Sequence, residues 1–269
     1  MVRLRTPKPD INDILLSISV TAIIVLWSLL VRNDQASLGG LLVAIWFPLS
    51  IITFRFLLRR LPLLGGIRAY PTEKTLAWKR LVTAGCLLVA SFSIIFLARL
   101  SPPAALGNII ALNFACLAAL LDRTERWLPP ALLVPMLLAG LLAGILRDTP
   151  AQAILGAAIA WGSVTLVLIF LSALFRRNAL SGGEGIMAAA CGAWAELRGV
   201  EVFLLASLVL HCATYLLTRR FSTSAAWPPY LDRQISLRGT PMGPSLALGL
   251  AITLLAEAIL PGTLRVFPQ

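Results

Sequence analysis

The chain has 269 residues, 58% of them hydrophobic, and a mean hydropathy of +0.87. That composition excludes a soluble globular domain and defines an all-α polytopic membrane protein, a bundle of transmembrane helices. The net charge of +11 invites a nucleic-acid reading, but the positions of Lys and Arg along the chain explain it better as membrane topology, with no nucleic-acid partner.

Apolar stretches long enough to cross about 30 Å of hydrocarbon as helices recur along nearly the whole length. About nine segments are predicted: Ile14 to Leu30, Leu38 to Leu58, Leu81 to Leu100, Leu106 to Leu121, Pro130 to Leu146, Ala151 to Phe175, Gly185 to Ala195, Val202 to Leu217 and Ser245 to Leu260. The first lacks a small-residue cleavage site and reads as an anchor. The seventh is short and rich in Gly and Ala, the composition of a broken or re-entrant piece buried in protein. With the N terminus inside, 18 of the 23 Lys and Arg fall in inner segments. Only Arg32, Arg99, Arg147, Arg198 and Arg265 fall outside. This bias supports an odd number of crossings, a cytoplasmic N terminus and an outward C terminus.

The longest polar stretches, Arg59 to Arg80 and Thr218 to Thr240, are broken by Pro62, Gly65, Pro71, Pro228, Pro229 and Gly239. They read as loops over the membrane surface rather than folded modules. Trp78, Trp227 and Tyr230 in them suit the headgroup region, and their basic side chains suit anionic lipid. Cys86, Cys116, Cys191 and Cys212 all lie in apolar runs without CxxC spacing and read as small core residues. His211 reads as a packed residue. There is no Gly-rich phosphate loop, GxSxG or HExxH, so no metal and no cofactor is expected.

Two acids stand where a membrane protein has least reason to place them. Asp122 closes the apolar run Asn108 to Leu121, and Glu184 lies in Ser181-Gly182-Gly183-Glu184-Gly185 just before another. A carboxylate at a segment end is costly unless hydrated, paired or used. The predicted topology puts both at the cytoplasmic interface, which points to a carboxylate pair. The plain alternative is a solvated position for each beside Arg123, Arg126, Arg176 and Arg177, where Arg126 and Trp127 act as headgroup anchors.

Around these acids the sequence resembles the type IV prepilin peptidases. Asp122-Arg123-Thr124-Glu125-Arg126-Trp127-Leu128-Pro129, followed by a Leu-rich run, is similar to that family's first signature. Ser181 to Trp194, with Gly182, Gly183, Glu184, Gly185 and a closing Gly192-Ala193-Trp194, is similar to the second, Gly-x-Gly-Asp leading to Gly-Ala-Trp. Pro241-Met242-Gly243-Pro244 resembles the family's Pro-Phe-Gly-Pro, and Phe47 to Pro62 its early helix. Residues 1–37 stand as an extra N-terminal transmembrane helix and 38–269 as a prepilin-peptidase-like membrane domain.

The resemblance implies an intramembrane aspartyl peptidase that removes the leader of prepilin or pseudopilin precursors at the cytoplasmic face of the bacterial inner membrane. Asp122 and Glu184 would be its catalytic pair, supported by the motif residues Gly182, Gly183, Gly185, Leu128, Pro129, Pro241, Gly243 and Pro244. Two acids sharing a site do not both ionise comfortably, so one keeps its proton. The chain departs from the family in carrying Glu at the second acid, Ser181 for the first Gly of Gly-x-Gly and Ile186 for the usual Lys. The alternative is a catalytically silent scaffold with partners in pilus or secretion-system assembly. A transporter is disfavoured, because the two halves show no convincing repeat.

Overall fold

The computed structural model describes residues 46–58, 60, 61, 76–175, 182–221 and 241–260, which include no strand. Seven helices follow one another: α1 (Trp46–Leu58), α2 (Leu76–Arg99), α3 (Pro102–Glu125), α4 (Pro130–Leu146), α5 (Pro150–Phe175), α6 (Gly182–Phe221) and α7 (Gly243–Ile259). Spans within α2, α3, α5 and α6 are long and apolar enough to cross a membrane, and α1, α4 and α7 are shorter apolar helices. The expected first segment, Ile14 to Leu30, and the extra N-terminal helix it defines lie outside the described residues.

Proline sets several of the boundaries. Pro102, Pro130 and Pro150 each open a helix, where the missing N–H costs nothing because the first N–H groups have no partner in any case. The expected seventh and eighth segments are one helix in hydrogen-bond terms, α6, broken at Glu196, whose backbone (φ 56°, ψ 178°) is not helical. The Gly/Ala-rich part before the break is a helix buried continuously from Met187 to Ala195, not an irregular loop.

Glycine contacts fix the direction of each strut. In the first half of α6, Gly183 meets Leu128 and Gly140 meets Ala193 and Trp194, so this half runs parallel to α4. Gly185 meets Trp161 and Thr165 while Gly192 meets Gly156 and Ala160, so it runs antiparallel to α5. Gly156 and Gly192 touch backbone to backbone, the close approach that small residues allow where no hydrophobic effect drives helices together. In the second half, Gly199 meets Thr253, Ser207 meets Gly249 and His211 faces Ser245, an antiparallel pairing with α7. Since α7 itself runs opposite to α3, from Gly243 beside Asp122, α6 doubles back on itself at Glu196.

The buried interior takes a face from every helix. Phe47, Ile51, Phe54 and Leu58 form one stripe of α1 at helical spacing, and Leu121, Leu133, Met136, Phe203, Leu250 and Leu254 fill the centre. Large apolar side chains also cover the outside: Leu146, Leu166, Phe170 and Leu205 are each more than 60% exposed. An apolar surface of this kind is stable only against lipid. Cys86 and Cys191 are buried and Cys116 partly so, as core residues should be, but Cys212 is exposed on the outer face of α6, because only one side of that half meets α7.

Candidate active site at one end of the bundle

Helix α3 runs one turn further than its apolar pattern predicts, so Asp122 lies inside its last turn and is 6% exposed. The turn closes on Arg126, whose left-handed backbone (φ 53°, ψ 37°) lets its N–H donate to the Asp122 carbonyl at 3.1 Å. Trp127 and Leu128 then lead to Pro129, whose carbonyl accepts the N–H groups of Leu132 and Leu133 and starts α4. Leu128 and Pro129 are both buried. The Leu-Pro pair of the first signature is therefore a tight corner that reverses the chain directly beneath Asp122.

The partner of Asp122 comes from far along the chain. Helix α7 begins at Gly243 with Pro244 next, and its N-cap, Met242, offers no side-chain oxygen. The Gly243 N–H instead donates to Asp122 Oδ2 at 2.7 Å, a charge-assisted bond in which α3 caps α7. A β-carbon at Gly243 would lie 2.8 Å from both Asp122 Cβ and Oδ2, so only glycine admits the carboxylate here. Pro241 is buried beside it and Pro244 is partly buried.

Glu184 occupies the first turn of α6, where the positive end of the helix dipole favours an acid. Gly183 lies against Leu128, with its missing β-carbon position 2.6 Å from Leu128 Cβ, and Gly185 lies against Trp161 and Thr165 of α5. Gly182 is exposed, and a β-carbon there would meet nothing within 4 Å among the described residues. The charges of Asp122 and Glu184 act on each other, and both act on Arg126. Burial pulls the half-buried Arg126 guanidinium below its ordinary value, Asp122 and Glu184 push it back up, and Arg123 adds to the lowering. Among the described residues, no three His, Cys, Asp or Glu side chains gather in a metal-binding group.

Three stretches that the sequence singled out, Asp122 to Pro129, Gly182 to Gly185 and Pro241 to Pro244, thus meet at one end of the bundle. Sequence reasoning missed Trp161 and Thr165, which wall the Gly185 side from an apolar run carrying no motif. Arg126, read from sequence as a headgroup anchor, lies in the field of both acids. Its neighbour Arg123 is exposed, as solvation predicts.

An all-helical membrane bundle thus brings two carboxylates and an arginine into one another's field at one end. Residues 109–217 match the model of the type IV leader peptidase family, a stretch that includes both Asp122 to Pro129 and Ser181 to Trp194. This stretch of the chain, which carries both acids, is therefore similar to that family of peptidases. No curated protein and no solved structure matches the chain.

Proposed function

We propose that this protein is a prepilin leader peptidase of the bacterial inner membrane, with Asp122 and Glu184 as its carboxylate pair. The observation that carries the reading is the meeting of the family's signature stretches at one end, with the two acids in each other's field. One carboxylate takes a proton from a water whose oxygen attacks the scissile carbonyl carbon. The other, protonated, gives its proton to the departing amide nitrogen. A coupled pair titrates as a pair, so the roles belong to the site rather than to one residue. Gly182, exposed at the start of α6, leaves room for a substrate backbone, and the basic residues Arg123 and Arg126 fit a cytoplasmic end. The substrates are prepilin or pseudopilin precursor helices entering from the lipid, the N terminus faces the cytoplasm, and the C terminus faces outward.

The test is leader removal from a co-expressed prepilin. Asp122→Asn keeps an oxygen that can cap α7, and Glu184→Gln keeps the side-chain volume, so both variants fold while processing is lost. Cleavage that survives either change would sink the proposal. A second reading, a silent scaffold for pilus or secretion-system assembly, draws support from the capping role of Asp122 and from Glu at the second acid. Under it, both substitutions leave assembly intact, whereas Gly192→Leu, which drives a side chain into the Gly156 backbone, does not. A rise in processing with Glu184→Asp identifies a working enzyme slowed by one methylene.

A further inference from the structure

The end of the bundle opposite the acids carries its own polar assembly. Glu196, where α6 turns back, has a backbone conformation (φ 56°, ψ 178°) that is essentially glycine's alone. A side chain in that region persists only where its surroundings over-determine it, and here they do. Glu196 Oε1 pairs with Arg147 Nη1 at 3.3 Å and accepts the Thr149 hydroxyl at 3.0 Å. Arg147 Nη2 donates to Oδ1 of buried Asn108 at 3.2 Å, and the guanidinium lies over the Trp194 ring, 5.9 Å from its centroid. Helix α5 presses on the same point, because a β-carbon on Gly156 would lie 2.7 Å from the Glu196 carbonyl carbon. Glu257 of α7 stands in the field of Arg147, Glu196 and Arg198.

Helix α3 thereby holds both ends of the reversal. Asp122, near its end, meets the start of α7, and Asn108, near its beginning, holds Arg147. This partly buried ion pair is expected to contribute little net stability compared with well-packed apolar residues; in some proteins such pairs instead select one conformation over another. The discrimination on offer here is between a folded-back α6 and a straighter one: Leu128, Trp161 and Gly156 already hold the first half at the Asp122 end, and the fold lays the second half against α7.

We propose that Arg147 and Glu196 are positioning residues: their ion pair holds α6 folded at a strained backbone and so keeps its second half packed along α7, the helix whose first amide binds Asp122. The link to catalysis rests on the peptidase reading above; the mechanical role does not. The experiment uses full-length protein in lipid, with spin labels on the exposed native Cys212 and on Gly182→Cys, an exposed position with open space around it, and the other three cysteines removed. The unsubstituted pair gives one narrow separation. Arg147→Met broadens it and, in unlabelled protein that keeps Gly182, lowers prepilin processing about tenfold or more. Adding Glu196→Gly, which makes the backbone conformation free of strain, restores both. If Arg147→Met is too unstable to recover from membranes, recovery of the double variant is the same rescue. A narrow separation in Arg147→Met, or a double variant as broad as the single, overturns the proposal. Absence of processing in the unsubstituted protein overturns the peptidase reading alone, since the separations still decide the mechanical role.

Discussion

Gly243→Ala is the sharpest probe of the site, because it touches neither acid chemically. At an ordinary helix position this change stabilises by about 0.5–1 kcal/mol, since glycine loses more backbone freedom on folding. Here the sign reverses. The new methyl would sit 2.8 Å from Asp122 Cβ and Oδ2, where ordinary contact begins at 3.4 Å, so helix and carboxylate must separate by about 0.6 Å. The carboxylate tip can swing, but its β-carbon is fixed to α3 and cannot. The Gly243 N–H bond to Oδ2, 2.7 Å long, is stretched or lost, and a bond to a charged acceptor is worth about 1.5–3 kcal/mol. At about 1.4 kcal/mol per tenfold in rate, that amounts to roughly 10- to 100-fold, in line with the effect of misplacing a catalytic group by about 1 Å. Initial rates of prepilin cleavage by reconstituted protein measure it, with thermal melting as the control for folding. Wild-type cleavage together with a raised melting temperature would refute both the contact and the role given to Asp122.

Gly183→Ala places a carbon 2.6 Å from Leu128 Cβ and 3.0 Å from the Leu128 carbonyl oxygen, and is expected to destabilise by about 1–3 kcal/mol, read as a lower melting temperature in detergent. Gly182→Ala, one residue earlier, enters open space and should change stability by less than about 0.5 kcal/mol. Loss of cleavage by this variant without loss of stability would mark a contact with substrate. Trp194→Phe removes the indole N–H that donates to the Met136 carbonyl at 3.1 Å and should cost about 0.5–1.5 kcal/mol, measured by the same melts.

The extent to which the sequence disclosed this architecture depended on the range of each interaction. Helical segments are written in runs of some twenty apolar residues, and even the break in α6 showed, because Glu196 and Arg198 interrupt an otherwise apolar stretch. Asp122 and Glu184 stood out as isolated charges, and their common end followed from counting crossings. What contacts them did not. Gly243 is 121 residues from Asp122, and Trp161 and Thr165 sit in a run with no distinguishing pattern. Arg147 counted only as an outside charge and Glu196 drew no reading, since nothing local reveals that one grips a turn made by the other. Helix ends also moved outward by several residues in α2 and α3, because Lys79-Arg80 and Asp122 to Glu125 are charged or polar residues at which a hydropathy reading stops while the helix continues.

The bond between Gly243 and Asp122 has a consequence for how the protein is made. During synthesis, Asp122 leaves the ribosome more than a hundred residues ahead of the amide that fixes it, and Glu184 also emerges well before α7. A growing chain therefore holds both acids in the bilayer while the carboxylate of Asp122 still lacks its capping amide. Insertion of the last helix supplies that amide, so this polar end of the bundle is complete only once α7 has been made.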